Sequence, residues 1–167
     1  MALLAERHGE RLKRGKERAL VGEARIDAKR VVLAFPQTYV NESGTSVNAL
    51  VRRHGIEDLH RLVVVHDELD LPVGRVKLKI GGGTAGHNGL KSIQAHLHDT
   101  GFVRVRIGVD KPAGKRQGAD HVLRRPGKAD KDALDVAVEV AADAVEAIAE
   151  EGPEAAMNRF NTRPEPT

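Results

Sequence analysis

The stretch VVVHDELDLPVGRVKLKIGGGTAGHNGL, residues 63–90, decides the fold of this chain. It continues a short apolar run that begins at Leu62, which is typical of a strand buried on both faces, and charged residues follow this run at once. Residues 75–80 alternate between basic and apolar side chains, which predicts a half-exposed strand. The glycine-rich segment 81–89 predicts a loop that leads into a helix over residues 88–98.

Strands and helices also alternate on either side of this stretch. The predicted strands are Ala19–Ile26, Arg30–Phe35 and Phe102–Val109, and the predicted helices cover residues 2–8, 44–54, 130–150 and 153–159. The short turn between the first two strands predicts that they pair antiparallel. The basic stretch Arg11–Arg18 and residues 110–128 are predicted to be loops. This order of elements predicts a layered α/β fold.

The composition favours one ordinary globular domain. The chain has 167 residues, a length that suits a single compact domain. Lysine and arginine total 27 against 24 acidic residues, so the formal net charge of +3 permits an RNA or phosphate partner without requiring one. Aromatic residues are 2% of the chain, so contacts to nucleic acid would depend on charge and hydrogen bonds more than on base stacking.

Several classes of protein are excluded by what the sequence lacks. The chain contains no cysteine, which excludes disulfides, thiolate metal sites and a cysteine nucleophile. No apolar run approaches the length that spans a membrane, and no signal segment opens the chain. We therefore expect a cytoplasmic protein without a membrane partner.

A cluster of ionisable residues follows the apolar strand, at His66, Asp67, Glu68 and Asp70. Ligands of α/β proteins bind beyond the carboxyl ends of strands, so this placement favours a functional site, with a solvated acidic turn as the alternative. Residue types that bind metals are present, but neighbouring residues point in different directions and no HxxxH or HExxH spacing occurs. We expect no metal.

Two asparagines follow predicted strands. The loop at 81–89 would let the backbone approach a ligand closely, and the helix after it would offer N–H groups to an anion. The loop lacks the Gly-Lys-Ser/Thr of a Walker A motif and the context of a dinucleotide fingerprint. Asn88 either grips an ester or peptide group through its amide or caps the helix. Asn41, in PQTYVNESG (36–44), is either a second functional residue or, like Ser43, a cap of the next helix.

Basic residues form two pairs on predicted strands. Lys77 and Lys79 share one strand face, and Arg104 and Arg106 share another. If the two strands are neighbours, the four side chains make a positive patch beside the glycine-rich loop, which would suit phosphates. The alternative is the ordinary exposed side of two amphipathic strands.

In three stretches the sequence resembles the bacterial peptidyl-tRNA hydrolase family. The matching stretches are PQTYVNESG (36–44), VVVHDELDLPVGRVKLKIGGGTAGHNGLKSI (63–93) and FVRVRIGVDKP (102–112), with NRFN (158–161) as a weaker match. The likeness covers essentially the whole chain in the order found in the family, and the middle stretch is long and specific.

The resemblance implies an α/β fold with a single domain at residues 1–160, in which helices flank a twisted mixed β-sheet. The Pro-rich end of the chain predicts a frayed tail at 161–167. It also implies an enzyme that cleaves the ester between a peptide and the 3′ ribose of tRNA. The partner would be peptidyl-tRNA, the protein would be a cytoplasmic monomer, and neither a metal nor another cofactor would be needed.

Site residues follow from the same resemblance. In the family a histidine acts as general base on water and an aspartate holds it; that aspartate matches Asp67. Two asparagines that grip the substrate match Asn41 and Asn88, and Tyr39 matches an aromatic position that lines the site of the tRNA 3′ end. Three residues match basic positions that contact tRNA phosphates: Lys77, Lys79 and Arg106.

The chain departs from the family pattern at its beginning. The family opens with a strand, a loop that carries the base histidine, and a helix, whereas this chain begins within that helix. The resemblance therefore implies that the first strand and the base histidine are missing here, and His8 cannot replace that histidine because it lies at the far end of the helix. Val40 stands where the family usually has methionine, and Pro126 where it often has an aromatic residue.

Three interpretations of these departures are open. We expect a peptidyl-tRNA hydrolase whose start codon is placed too late. The alternatives are a non-catalytic tRNA-binding remnant of the same family and a phosphate- or nucleotide-binding protein that uses the glycine-rich loop.

The first interpretation gives a prediction for the 167-residue chain. We expect little or no cleavage of peptidyl-tRNA, because removing a general base costs about 10²–10⁴ in rate. Adding the upstream segment with the family's strand and loop should restore cleavage. Equal rates with and without that segment, measured as peptide release, would contradict the prediction.

Overall fold

The structure is a computed structural model, which describes residues 1–109 and 128–162 of the chain. The predicted loop at 110–128 therefore lies almost wholly outside the described residues, as do Pro126 and positions 163–167 of the predicted tail. The chain divides into two compact units. Unit 1 comprises Met1–Leu62 and Ile80–Val103, and unit 2 comprises Val63–Lys79 and Arg104–Thr167.

Unit 1 contains an antiparallel sheet of three strands, β1 (Lys13–Arg14), β2 (Ala19–Ile26) and β3 (Lys29–Pro36), in the order β1-β2-β3. The turn between β2 and β3 has two residues, Asp27 and Ala28, which both have positive φ. Two central residues in this conformation match the twist of the flanking strands, so the antiparallel pair forms as predicted. The prediction that residues 11–18 form a loop is wrong for Lys13 and Arg14, which form the strand β1.

The helices of unit 1 are α1 (Ala2–Arg7), α2 (Ser43–Arg53) and α3 (Asn88–Leu97), and 3-10 turns cover Val40–Glu42 and Leu59–Arg61. All three helices agree with prediction to within about two residues, which is the usual uncertainty of helix ends. The most deeply buried apolar side chains of this unit include Ile26 and Leu33 on the sheet, Leu90 and Ile93 on α3, and Phe102, which follows α3 in the chain.

Unit 2 contains a second sheet, with strands β4 (Val63–Glu68), β5 (Val76–Ile80) and β6 (Val103–Gly108) in the order β4-β6-β5. Val103 N–H donates to Leu62 O and Val109 N–H to Glu68 O, a constant offset that makes β4 and β6 parallel. Gly108 N–H donates to Arg75 O and Gly81 N–H to Phe102 O, so β5 and β6 run antiparallel. The sheet is therefore mixed.

The α/β class with flanking helices is confirmed, with two differences in the strands. The described strands form two hydrogen-bonded sheets, whereas the resemblance implies one. The apolar run is predicted to end before His66, but β4 continues through Glu68, and Val63–Val65 are half-buried instead of buried on both faces. The charged residues stay in the strand because side chains on β6 pair with them, as described below.

Two helices complete unit 2: α4 (Lys128–Glu151) and α5 (Pro153–Asn161). The spacing of Leu134, Val138, Ala141, Val145 and Ile148 in the sequence predicts that these side chains share the buried face of α4. This prediction is wrong for Val138, since that side chain is 44% exposed. Alanines form much of the buried face instead, and their small side chains allow close packing; they are Ala137, Ala141, Ala142, Ala144 and Ala147.

The end of α5 is tied to β5 by one side chain. Asn161 accepts a hydrogen bond from Leu78 N at 2.8 Å and donates one to Leu78 O at 2.9 Å. The amide thus pairs with the strand as a backbone would. Asn161, which the Pro-rich end of the sequence predicts to be the first residue of a frayed tail, is instead the last residue of this helix.

An ion pair in unit 1 gives a prediction for stability against pH. Glu17 is buried, and its carboxylate accepts a hydrogen bond from Arg53. That hydrogen bond lowers the pKa of Glu17 below its ordinary value of 4.5, against the opposing effect of burial. A carboxyl group with a depressed folded-state pKa stabilises the fold above its ordinary pKa, and this contribution is lost as the pH falls through the depressed value.

We therefore expect the Glu17→Gln variant to have a lower free energy of unfolding than the wild type at pH 7. The difference should shrink below pH 4.5, the ordinary pKa of this group. Urea denaturation at a series of pH values measures it, with Glu57→Gln at an exposed position as the control. A difference that stays constant from pH 7 to pH 3 would contradict the role of the ion pair.

Candidate functional site

Asn41 and Asn88 lie on neighbouring elements of unit 1. Asn41 is in the 3-10 turn Val40–Glu42, which packs against α3, and Asn88 is the first residue of α3. A Cβ atom added to Gly89 would lie 3.3 Å from Val40 Cγ1, so the residues that adjoin the two asparagines are in contact. Both asparagines are exposed, and their amides can therefore meet a ligand from solvent.

Neither asparagine has the capping role that was the alternative to a functional one. The N-cap of α3 is His87, whose Nδ1 accepts a hydrogen bond from Leu90 N at 3.2 Å. The N-cap of α2 is Glu42, which makes no side-chain cap, and Ser43 donates its hydroxyl to Val40 O. The structure thus favours the functional interpretation of both asparagines.

The glycine-rich loop before α3 depends on two backbone conformations. Gly82 and Gly86 have φ of +92° and +81°, in the left-handed region that favours glycine. These turns bring the chain to His87 and start α3 with its amide end at the surface. Backbone N–H groups and the positive end of the helix dipole then lie beside Asn88.

Exposed apolar side chains adjoin Asn41. Tyr39 is 81% exposed and Val40 is 59% exposed. A tyrosine ring offers both a stacking face and a hydroxyl, so the exposed Tyr39 can contact a ligand from solvent. The sequence and the structure therefore place an adaptable contact surface next to the asparagine amide.

In unit 2, Asp67 lies on β4 with its side chain exposed, whereas His66 before it is buried. Arg104 Nε donates to His66 Nε2 at 3.1 Å. An arginine can only donate, so His66 accepts at Nε2 and carries its proton on Nδ1, which lies 2.8 Å from Asp67 O. Arg104 and His66 together hold the backbone at Asp67.

The arginines of β6 correct the predicted positive patch. Arg104 is 3% exposed, and burial, reinforced by the charge of Arg106, lowers its pKa. Arg106 lies 3.8 Å from Glu68, with 18% of its side chain exposed. The prediction that both arginines are exposed to phosphates is therefore wrong for Arg104. Arg106 exposes only a small part of its side chain to solvent. Lys77 and Lys79 on β5 are half-buried.

The predicted site residues fall into two sets. Unit 1 carries Tyr39, Asn41 and Asn88, and unit 2 carries Asp67, Lys77, Lys79 and Arg106. Sequence reasoning missed the cap at His87 because histidine is not a favoured cap residue, and it missed the pairing of Arg104 with His66 because the two residues are far apart in sequence.

No group of three or more histidine or acidic side chains within residues 1–109 and 128–162 is placed to hold a metal ion. In the same residues, no helix is both long and apolar enough to cross a membrane. A groove of about 450 Å³ in unit 1, lined by His8, Glu10, Glu23, Ala24 and Arg25, contains none of the predicted site residues.

Comparison with known proteins agrees with the resemblance in the sequence. The family described as Peptidyl-tRNA hydrolase matches residues 1–167. The peptidyl-tRNA hydrolase of Cutibacterium acnes is 46% identical over 97% of this chain and 86% of its own length. That of Rubrobacter xylanophilus is 46% identical over 96% of this chain and 86% of its own length.

Solved structures are similar as well. A complex of peptidyl-tRNA hydrolase with n-propanol has a TM-score of 0.90 at 33% identity, covering 98% of this chain and 83% of that one. The peptidyl-tRNA hydrolase of Acinetobacter baumannii has a TM-score of 0.88 at 34% identity, covering 96% of this chain and 81% of that one.

The contact between α2 and α3 gives a prediction for the Gly44→Ala variant. A Cβ atom at Gly44 would lie 2.1 Å from Ser92 O, so the two helices would have to move apart. We expect a loss of about 1–3 kcal/mol in the free energy of unfolding, the usual cost of overpacking. The control is Gly83→Ala, because a Cβ atom there has nothing within 4 Å. Equal stability of the two variants in urea would contradict the prediction.

Proposed function

The chain belongs to the peptidyl-tRNA hydrolase family, and we propose that its reaction is the hydrolysis of the ester that joins a peptide to the 3′ ribose of tRNA, at a much reduced rate in the 167-residue form. Water adds its oxygen to the acyl carbon, the bond to the ribose oxygen breaks, and that oxygen takes up a proton. The products are a peptide with a free carboxylate and a tRNA with a free 3′ hydroxyl. The observation that carries the proposal is the match of the whole chain to this family.

We propose that Asn41 and Asn88 hold the ester. An asparagine amide can donate to a carbonyl oxygen and accept from a ribose hydroxyl, so it can hold both sides of the bond that breaks. The support for this is that both amides are exposed on contacting elements of unit 1 and that neither caps a helix. A donor directed at the ester carbonyl would also stabilise the negative charge that develops on its oxygen.

We propose that Asp67 occupies the position of the carboxylate that orients the general-base histidine in the family; the resemblance matches no histidine of residues 1–167 to that base. A carboxylate in this role accepts an imidazole N–H and stabilises the cation that forms when the imidazole takes a proton from water. What supports the role is the contrast along β4, where Asp67 is exposed while its neighbour His66 is buried and bonded to Arg104. Such an anchor limits movement of the carboxylate.

The remaining proposals concern the tRNA body and the state of the protein. Lys77 and Lys79 would contact tRNA phosphates through their ammonium groups, with Arg106 as a further contact, and Tyr39 would pack against the 3′ end. We also propose a cytoplasmic monomer, in agreement with a chain that contains no cysteine.

The Asn41→Ala and Asn88→Ala variants test how the ester is held. The probe is tRNA whose peptide is joined to the 3′ end by an amide, because this analogue binds without being cleaved. We expect each variant to bind the analogue about threefold to tenfold more weakly than the wild type, the loss of about one hydrogen bond. Affinity for deacylated tRNA should change less, because the acyl group is absent.

The matched control is Asn158→Ala, an exposed asparagine on α5 in unit 2. Unchanged affinity of both site variants for the analogue would refute the proposed role of the asparagines. Failure of the wild type to bind this analogue in preference to deacylated tRNA would refute the proposed function itself.

A further inference from the structure

Unit 1 carries a cluster of positive charges that the proposed site does not use. Five basic residues lie within residues 11–18, which we call the basic edge: Arg11, Lys13, Arg14, Lys16 and Arg18. All five are exposed. The one acidic residue of the segment, Glu17, is buried and bonded to Arg53. The basic edge therefore presents cations to solvent without an exposed carboxylate among them.

The backbone of the basic edge is held in place. Its strand β1 pairs with β2, and Gly15 N–H donates to Ala19 O at 2.8 Å to close the hairpin. Gly22 on β2 has no side chain, and a Cβ atom there would lie 3.1 Å from Leu12 Cδ2. Because this backbone is fixed, the cations are arranged before any ligand arrives, which reduces the entropy lost on binding.

One end of the basic edge is tied to the turn that carries Asn41. Gln37 N–H donates to Arg18 O at 2.7 Å, and the guanidinium of Arg18 lies 3.7 Å from Glu42. Arg18 has φ of +58°, a conformation that is uncommon for a residue with a side chain and is found where the surroundings enforce it. The basic edge therefore starts beside the asparagine turn.

The other end of the basic edge extends away from that turn. The pairing of Arg14 with Leu20, and of Leu20 with Phe35, places Arg14 level with the end of β3. Lys13 pairs with Val21, one residue farther along β2 and away from the asparagine turn, and Arg11 precedes Lys13 in the chain. The basic residues thus follow the edge of the sheet from a position near Asn41, with the side chains of Lys13 and Arg14 on opposite faces of β1.

Protection of an exposed sheet edge does not account for the basic edge. Natural sheets place lysine or another charge on an edge strand to prevent pairing with another chain. The strand β1 has only two residues, and three of the five cations lie outside it. A run of positive charge longer than the strand that it would protect points to a ligand with repeated negative charges.

We propose that the basic edge binds the phosphates of the tRNA acceptor strand next to its 3′ end. This inference rests on the proposed function, because it requires Asn41 and Asn88 to hold the ester at the end of that strand. With the 3′ end held there, the nucleotides that precede it lie along the adjoining surface, and the adjoining surface is the basic edge. Contacts of this kind set affinity and position without reading base sequence.

The Arg14→Gln/Lys16→Gln variant removes two of these charges at exposed positions. The slope of log affinity against log salt is negative, and each lost phosphate contact reduces its magnitude by about 0.7–0.9. We therefore expect the magnitude of the slope to fall by about 1.4–1.8 in this double variant. The affinity for deacylated tRNA at 0.1 M salt should fall by about 25-fold to 60-fold, the effect of that change in slope over one decade of salt. Fluorescence titration at several salt concentrations measures both quantities.

The matched control is Arg25→Gln/Lys29→Gln, which removes two exposed charges near the opposite end of the β2–β3 hairpin. We expect its affinity and its salt slope to stay close to those of the wild type. Thermal unfolding midpoints of both variants should match the wild type, since all four side chains are exposed. If the two variants lose affinity equally, the basic edge has no special role and the proposal is overturned.

A second probe separates this inference from the proposed function. The 3′-terminal nucleoside that carries the amide-linked peptide, with no phosphate or nucleotide before it, should bind the Arg14→Gln/Lys16→Gln variant as tightly as the wild type. An equal loss with this nucleoside would overturn the assignment to the acceptor strand. Failure of the proposed function appears differently, as a wild type that does not prefer the peptidyl analogue to deacylated tRNA.

Discussion

Gly44 N–H donates to Ser92 Oγ at 2.8 Å, and the backbones of α2 and α3 approach so closely there that only a hydrogen atom fits on the Gly44 Cα. This contact sets the distance between the turn before α2 and the first turn of α3. Asn41 belongs to the former and Asn88 to the latter, so their spacing depends on a residue that touches no substrate. The glycine at this helix crossing therefore also determines how far apart the two asparagines of the candidate site lie.

Unit 2 shows a different constraint, a buried charge beside a neutral histidine. A guanidinium as buried as that of Arg104 loses much of its hydration, and His66 replaces part of it with one hydrogen bond. Pairs of this kind are poor sources of stability, because desolvation offsets most of the attraction. The arrangement instead fixes the position of β4, because His66 is held on one face of the strand. Asp67 remains exposed to solvent on the other face.

The success of sequence reasoning depended on how local each signal is. The strand Ala19–Ile26 agrees with its predicted bounds because alternation and a two-residue turn are properties of neighbouring residues. Local signals fail where distant partners decide. From its sequence the charged end of β4 resembles a loop, and it is a strand because the arginines of β6 pair with it. A two-residue strand such as β1 is too short to show any periodicity in the sequence.

The candidate site follows the same rule. Residue types and their placement after strands identified Asp67, Asn41 and Asn88, and the family resemblance supplied their roles. The exposure of these three side chains needed the structure, as did the burial of Arg104, because burial depends on elements that are distant in the sequence. The division of the site residues between two compact units also has no local signal.

Unit 1 separates neutral donors from charges, and this separation suits a substrate with a neutral ester at the end of a charged strand. In the proposed arrangement the amides of Asn41 and Asn88 hold the ester, while the cations of residues 11–18 start at Arg18, beside the turn that carries Asn41, and extend away from it. With aromatic residues at 2% of the chain, base stacking contributes little, so affinity must depend on charge and therefore on salt.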